Sequence, residues 1–135
     1  MHEFPVRIYY EDTDAGGIVY YANYLKFTER ARTEFLRVLG FQNSTFIAEN
    51  ELFIVVRSLN ADYIKPAVLD DVLNVKTRVH SLTAASFVLH QMITKNDVLI
   101  FEMSVTLVMM NKQGRPQRLP QLLKEKFTEF LNQSE

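Results

Sequence analysis

Residues 9–32 have the sequence YYEDTDAGGIVYYANYLKFTERAR, and this stretch decides how the rest of the chain is arranged. Its first part is acidic, with Glu11, Asp12 and Asp14 just before the paired glycines Gly16 and Gly17. Its second part changes to spacings of three and four between apolar residues, which are typical of a helix. The stretch therefore predicts a loop rich in carboxylates that leads directly into a helix.

A long amphipathic helix is predicted from Asn23 to Leu39. Large apolar side chains recur at intervals of three and four, while charged and polar side chains occupy the opposite side. The apolar positions are Tyr24, Phe27, Ala31, Phe35 and Val38. Gly40 follows and is expected to end the helix.

Most of the remaining chain alternates with a period of two, which indicates strands. Residues 95–97, Lys-Asn-Asp, have the composition of a hairpin turn. We predict strands over residues 5–11, 53–64, 72–81, 85–94 and 98–110, a short helix over 44–50 capped by Ser44, and a C-terminal helix over 120–132. The sequence therefore predicts an α+β fold in one domain, residues 1–135, with a single antiparallel sheet wrapped around one long central helix.

The last predicted strand, residues 98–110, is apolar on both faces. One face carries Phe101 and Val105, and the other carries Ile100 and Val108. Because a chain of 135 residues has too little material to cover two apolar faces, we expect a second subunit.

Composition excludes several classes of protein. The chain is 47% hydrophobic, has a net charge of −1 and has no cysteine. A disulfide framework, a thiolate nucleophile and a zinc–thiolate site are excluded, and the charge gives no reason to expect nucleic acid. No apolar run is long enough to span a bilayer, and the first residues lack the pattern of a secretory signal. We expect a cytoplasmic protein.

The acidic segment does not match the common metal or phosphate motifs. In an EF-hand register that starts at Asp12, Gly16 and Asn23 stand where two oxygen ligands are required. The chain has no G-x-G-x-x-G, no Gly-Lys-Ser/Thr and no G-x-S-x-G. Its histidines, His2, His80 and His90, lie at the N-terminus or in predicted strands. We therefore predict no metal at this segment.

A carboxylate just before a helix N-terminus suits acyl-transfer chemistry. Unpaired amides at the start of a helix can hold a developing oxyanion. A carboxylate beside them can act as a nucleophile, or as a general base for water. Asp12 or Asp14 can also cap a turn or the helix, which is the commoner use of aspartate at such spacing. Spacing alone leaves both interpretations open.

The same segment resembles the signature of the hotdog-fold thioesterases of the 4-hydroxybenzoyl-CoA thioesterase class. It is most similar to the YbgC-type acyl-CoA thioesterases associated with the Tol–Pal system of Gram-negative bacteria. The matching positions are Tyr10, Asp12, Thr13, Asp14, Gly17, Val19, Tyr20, Ala22, Asn23, Tyr24, Glu29, Arg30, Ala31 and Arg32. The resemblance implies a hotdog fold, a homodimer or homotetramer with the active site between protomers, and hydrolysis of acyl-CoA by water without a cofactor or metal.

The resemblance also implies roles in catalysis. It places the catalytic carboxylate on Asp14 and the amides that polarise the thioester carbonyl around Val19 to Tyr21, with Gly17 giving the substrate room. Asp12 is expected to shape the loop beside the substrate. One position departs from the YbgC type, because Tyr21 stands where those proteins commonly carry His. Phenols are poor general bases at neutral pH.

Other residues are implied in substrate binding. Glu29 is a candidate second carboxylate, although a solvated charge near Arg32 on the helix is the simpler interpretation. The candidates for binding the CoA phosphates are Arg57, Lys65 and Arg115. Residues 51–67 of a partner protomer would complete the pocket, and acyl carrier protein is an alternative acyl donor.

Two other functions stay open at this point. A hotdog hydratase also acts on acyl thioesters, but that chemistry typically uses a His, and none occurs in the Asp14 segment. A non-catalytic protein that binds acyl thioesters, or a scaffold of the Tol–Pal or phospholipid-synthesis system, would need no catalytic group. The absence of the common His at Tyr21 keeps this second alternative open.

Overall fold

The computed structural model describes residues 1–133, which form five strands and three helices. The elements are β1 (His2–Arg7), α1 (Asn23–Val38), α2 (Asn43–Asn50), β2 (Phe53–Tyr63), β3 (Val72–Leu82), β4 (Ser86–Lys95), β5 (Val98–Met110) and α3 (Gln121–Gln133). A short 3₁₀ turn covers Tyr10–Asp12. Every helix in this range is too short or too polar to cross a membrane.

The five strands form one antiparallel sheet in the order β1-β3-β4-β5-β2. Short turns join β3, β4 and β5, whereas α1 carries the chain from β1 at one edge to β2 at the other. In the β4–β5 turn, Asn96 has φ 50° and Asp97 has φ 64°. Two adjacent residues of positive φ are what a tight two-residue hairpin needs, so the predicted turn is confirmed.

α1 and α3 cover one face of the sheet. Phe27, Ala31 and Phe35 of α1 are 0% exposed, as their spacing predicts. Phe127 of α3 is also fully buried, and its ring centre lies 6.0 Å from that of Phe35 and 4.7 Å from that of Phe87 in β4. Burying an aromatic side chain of this size stabilises folding by about 1.5–3 kcal/mol.

The predicted fold class is confirmed, with one antiparallel sheet packed on a long helix. The cover is larger than one helix, because residues 1–133 contain three and α3 packs beside α1. Val38 is 69% exposed, so the predicted apolar stripe ends before it. Gly40 ends α1 as predicted: it has φ 95° and donates its amide to the Arg37 carbonyl at 3.0 Å.

The bounds of two predicted elements are wrong. β1 covers His2–Arg7 and not residues 5–11, and it ends early because the chain turns at Tyr10–Asp12. The Asp12 carboxylate stabilises that turn by accepting a hydrogen bond from the Tyr9 amide at 2.8 Å. α2 begins at Asn43, so Ser44 lies inside the helix and does not cap it.

The outer face of β5 is less apolar than predicted. Its middle carries Glu102, Ser104 and Thr106, which correspond to solvent-facing positions of the strand. Exposed apolar side chains lie instead on the edge strand β2, where Val56 is 46% and Leu59 is 43% exposed. The reason given for a second subunit is therefore wrong for β5. The sheet has two edge strands, β1 and β2, and β2 is the one that exposes large apolar side chains.

Candidate active site

Residues 13–19 form a tight loop, which we call the Asp14 hairpin. Thr13 and Val19 form an antiparallel bridge, and the Asp14 amide donates to the Ile18 carbonyl at 2.9 Å. Gly17, at φ 85°, donates its amide to the Asp14 carbonyl at 3.0 Å. Only glycine adopts such a φ without strain, so Gly17 serves the turn.

The Asp14 carboxylate is exposed, and one of its two oxygens is open. Oδ1 accepts a hydrogen bond from the Gly16 amide at 2.8 Å, whereas Oδ2 has no hydrogen-bond partner within residues 1–133. A Cβ atom at Gly16 would lie only 3.2 Å from Oδ1, so the absence of a side chain lets the carboxylate approach the backbone. Asp14 can therefore cap the turn with Oδ1 and still offer Oδ2 to a substrate.

Asp14 borders an open cavity of about 430 Å³. The other lining residues come from the hairpin and its surroundings: Tyr10, Thr13, Ala15, Gly17 and Leu69. Tyr10 is 83% exposed and contributes an aromatic ring to this wall. A substrate group can therefore reach the carboxylate from solvent.

Asp12 accepts hydrogen bonds from its own loop with both its carboxylate and its backbone carbonyl. Its carboxylate accepts from the Tyr9 amide at 2.8 Å. Its carbonyl accepts from the Tyr20 amide at 3.0 Å and from the side-chain Nδ2 of Asn23 at 2.9 Å. Asn23 is the first residue of α1, so this contact ties the start of the helix to the acidic segment. The geometry gives Asp12 a role in shaping the loop.

The structure narrows the choice of oxyanion donor. The Val19 amide donates to the Ala67 carbonyl at 2.9 Å, and the Tyr20 amide donates to Asp12, so neither is free. Val19 is also 3% exposed and lies four residues before α1. The Tyr21 amide donates to no backbone carbonyl of residues 1–133. Of the three amides considered, only that of Tyr21 can serve a substrate.

Tyr21 belongs to an aromatic cluster at the end of β2. Its ring is 62% exposed and lies edge-on to Tyr63 at 6.2 Å. The Tyr63 hydroxyl donates to the Tyr21 carbonyl at 3.0 Å. Tyr24 stacks on Phe101 at 5.3 Å, and its hydroxyl accepts from the Ala67 amide at 3.1 Å. Burial raises the pKa of both Tyr24 and Tyr63, so these phenols stay protonated near neutral pH.

Glu29 lies apart from Asp14, in the cleft between α1 and β2. One cavity of this cleft, of about 170 Å³, is lined by Glu29, Arg32, Thr33, Leu36, Asn43, Ile54, Val56, Phe87, Leu89 and Leu107. Glu29 is exposed and accepts a hydrogen bond from the Thr33 hydroxyl at 2.7 Å. Burial lowers the pKa of Arg32, and the nearby Glu29 partly offsets that effect. One protomer does not bring Glu29 and Asp14 to the same cavity.

The predicted phosphate-binding cations are also dispersed. Arg57 lies at an irregularity of β2, between Val56 and Ser58, and is exposed. Lys65 follows the end of β2 near Tyr63, whereas Arg115 lies in the loop after β5, close to the opposite end of β2. A strand of 11 residues places these two ends roughly 30 Å apart. In the described range, no three His, Asp or Glu side chains lie close enough together to hold a metal ion.

A family model described as the thioesterase-like superfamily matches residues 9–127. The chain belongs to this superfamily. The acyl-CoA thioesterase YbgC of Haemophilus influenzae is 48% identical to it over 102 residues, 76% of this chain and 75% of that protein. The acyl-CoA thioester hydrolase YbgC of Escherichia coli O6:H1 is 41% identical over 129 residues, 94% of this chain and 96% of that protein. The crystal structure of a probable thioesterase from Bartonella henselae matches with a TM-score of 0.86 and 40% identity, over 88% of this chain and 98% of that one.

Membership of the thioesterase-like superfamily confirms the family, the hotdog fold and the enzyme class that were predicted from residues 9–32. Sequence reasoning missed two residues that organise the site of this thioesterase, Asn23 and Tyr63. Asn23 stood in the matching signature, so its position was a usable signal. Tyr63 lies in residues 51–67, which were expected to act from a partner, yet here it contacts Tyr21 of its own chain.

Proposed function

We propose that this thioesterase hydrolyses acyl-CoA to the free acid and CoA, with Asp14 as the catalytic carboxylate. The observation that carries the proposal is the open Oδ2 of an exposed Asp14 whose other oxygen and whose backbone are held by the hairpin. The acyl-CoA thioesterase names of the two YbgC relatives support the substrate class.

In the proposed reaction, the thioester carbonyl oxygen accepts a hydrogen bond from the Tyr21 amide. Negative charge grows on that oxygen as the carbonyl carbon is attacked, and a fixed donor stabilises it more in the transition state than in the ground state. Asp14 Oδ2 either attacks the carbon itself or takes a proton from the attacking water. In both routes the C–S bond breaks, and CoA leaves as the thiolate and is then protonated. When water attacks, the free acid forms directly; when Asp14 attacks, an acyl–Asp14 anhydride forms, and water then hydrolyses it to the free acid and restores the carboxylate.

The absence of an imidazole at residue 21 is compatible with this reaction. A thiol of ordinary pKa, about 8.5, leaves as a thiolate without needing a strong acid beside it. Glu11, the third carboxylate of the segment, has no assigned role. His90 lies in β4, where its Nε2 is 3.6 Å from Glu102, in a different part of the fold from the hairpin. A hydratase of the His-dependent kind is therefore not favoured.

The proposal includes a second subunit, paired along the open edge of β2. Exposed Val56 and Leu59 on that edge support it, since bare apolar edge strands otherwise aggregate. A two-fold pairing would bring the cations of two chains together, so Arg57, Lys65 and Arg115 are proposed to share the CoA phosphates across the interface. A cytoplasmic location and a reaction without a cofactor belong to the same proposal, and acyl carrier protein is an alternative donor.

Release of CoA thiol from a panel of short, long and aromatic acyl-CoAs tests the proposal. We expect turnover of at least one substrate, and a fall in kcat of about 10²–10⁴-fold in Asp14→Asn. Glu11→Gln is the matched control, because Glu11 is an exposed carboxylate of the same segment, and its kcat should stay within twofold. Bound acyl-CoA with no thiol release would identify a non-catalytic binding protein. Addition of water to an enoyl-CoA would identify a hydratase.

A further inference from the structure

The Tyr21 carbonyl is held by a side chain and not by the helix it precedes. Tyr21 precedes the N-cap residue Ala22, so the helix itself offers the Tyr21 carbonyl no regular amide partner. The Leu25 amide donates to the Ala22 carbonyl at 3.2 Å, and the Tyr63 hydroxyl donates to the Tyr21 carbonyl at 3.0 Å. The backbone around the proposed oxyanion donor is thus fixed by a residue 42 positions away.

Tyr63 is well placed to hold that carbonyl still. It is the last residue of β2 and pairs with Phe101 of β5. Its ring centre lies 5.1 Å from that of Phe101 and 5.5 Å from that of Tyr24, edge-on in both cases. Both neighbours are buried and belong to the core of the fold, so the phenol is anchored on the sheet and on α1.

The two sides of Tyr21 are therefore restrained separately. On its N-terminal side, the Tyr20 carbonyl accepts from the Asn23 amide at 2.9 Å, which orients the peptide that carries the Tyr21 N–H. On its C-terminal side, Tyr63 is the hydrogen-bond donor to the Tyr21 carbonyl. Without the Tyr63 bond, residue 21 would be restrained from its N-terminal side alone, and its N–H would be aimed less firmly at the substrate.

We infer that Tyr63 is a positioning residue for catalysis, which aims the Tyr21 amide at the thioester carbonyl through a hydrogen bond to the Tyr21 C=O. This inference rests on the proposed function. It assigns Tyr63 no contact with the reacting atoms. Its hydroxyl acts on transition-state stabilisation, so its removal should lower kcat and leave substrate binding nearly unchanged.

Steady-state kinetics of Tyr63→Phe tests the inference, because this variant keeps the ring and removes only the hydroxyl. We expect kcat to fall about tenfold with KM within twofold of wild type. Tyr9→Phe is the matched control. Tyr9 is 62% exposed and lies outside the aromatic cluster of Tyr21, Tyr24 and Tyr63, so both constants should be unchanged.

A vibrational measurement distinguishes a misaligned Tyr21 amide from a general loss of structure. Raman difference spectra of the best acyl-CoA of the panel, bound to Asp14→Asn, report the polarisation of its thioester carbonyl. We expect a shift to lower frequency than in water, and a smaller shift in Asp14→Asn/Tyr63→Phe. An unchanged kcat or an unchanged carbonyl shift after Tyr63→Phe would overturn the inference while Asp14 kept its role. An inactive wild type would overturn the proposed function as well.

Discussion

The Asp14 hairpin and the polar group around Gln91 use their hydrogen bonds in opposite ways. Gln91 in β4 is 0% exposed, and its amide donates to the Thr28 carbonyl and to the Thr77 hydroxyl, both at 3.0 Å. Its oxygen accepts from Arg32 at 3.1 Å, so both of its polar atoms are occupied. The hairpin is held by the backbone amides of Asp14, Gly17 and Val19, but Asp14 Oδ2 stays open, as does the Tyr21 amide just after the hairpin.

This difference separates groups that hold the fold from groups that can act on a substrate. Inside the protein, a polar atom without a partner costs about 1–3 kcal/mol, so the Gln91 group is bonded on every side. On the surface, water satisfies an open donor or acceptor at little cost. Open groups on a firmly bonded backbone are therefore the ones that a substrate can use.

Gln91→Leu removes the buried polar group and has the largest expected effect on folding. Leucine removes the hydrogen-bond partner of the half-buried Arg32 guanidinium and of the buried Thr77 hydroxyl, which should cost about 2–4 kcal/mol. Unfolding in urea, followed by circular dichroism, measures the change. Gln113→Leu, in an exposed loop, is the control and should change the free energy of unfolding by less than about 0.5 kcal/mol. Equal losses in the two variants would contradict the account.

Gly16→Ala has a smaller expected effect, because it only shifts the Asp14 carboxylate. The new Cβ would lie 3.2 Å from Asp14 Oδ1 and would displace the carboxylate, so we expect kcat to fall about tenfold. Gly114→Ala is the reverse control. Its Cβ meets nothing within 4 Å but stands at φ 76°, so it should cost about 1 kcal/mol of stability without changing kcat. Matching kinetics for the two variants would show that Gly16 does not set the carboxylate position.

The smallest expected effect is a pH dependence from His90, which lies on the opposite face of the sheet from Gln91. Burial and the Arg78 guanidinium lower the pKa of His90, and Glu102 only partly offsets them. The folded protein therefore resists a protonation that the unfolded chain accepts near 6.5. Stability should be fully present above that pH and should fall as pH drops through it, until the folded His90 is protonated too.

Thermal unfolding of wild type and His90→Gln between pH 8 and pH 5 checks this slope. Burial lowers the pKa of His2 as well, so the variant should lose only part of the pH dependence. Identical slopes in the two proteins would contradict the role given to His90.

Much of the fold could be predicted because its signals are local. Spacings of three and four located α1, a period of two located β2 to β5, and the Asn96–Asp97 turn followed from its residue types. The end of β1 could not be predicted, because Tyr9 and Asp12 sit in a pattern that looks like a strand until the carboxylate bonds back to the Tyr9 amide.

The candidate site was only half predictable, for the same reason. Asp14 stands in a local pattern of carboxylate and glycine, and it could be proposed from sequence. Which backbone groups near Asp14 are free to bind substrate depends on residues far along the chain. The Ala67 carbonyl accepts from the Val19 amide, and the Tyr63 hydroxyl donates to the Tyr21 carbonyl. No spacing rule within residues 9–32 contains those contacts.

Activity and stability measured on the same preparations of Asp14→Asn and Gln91→Leu show whether the open carboxylate oxygen acts on substrate while the buried amide holds the fold. CoA release gives kcat, and urea unfolding gives the free energy of unfolding. We expect Asp14→Asn to lose about 10²–10⁴-fold in kcat, with its stability unchanged within about 0.5 kcal/mol. Gln91→Leu should show the reverse, with a large loss of stability and most of kcat retained while folded. Full activity in Asp14→Asn would contradict the account, because the open carboxylate oxygen would then have no part in the reaction.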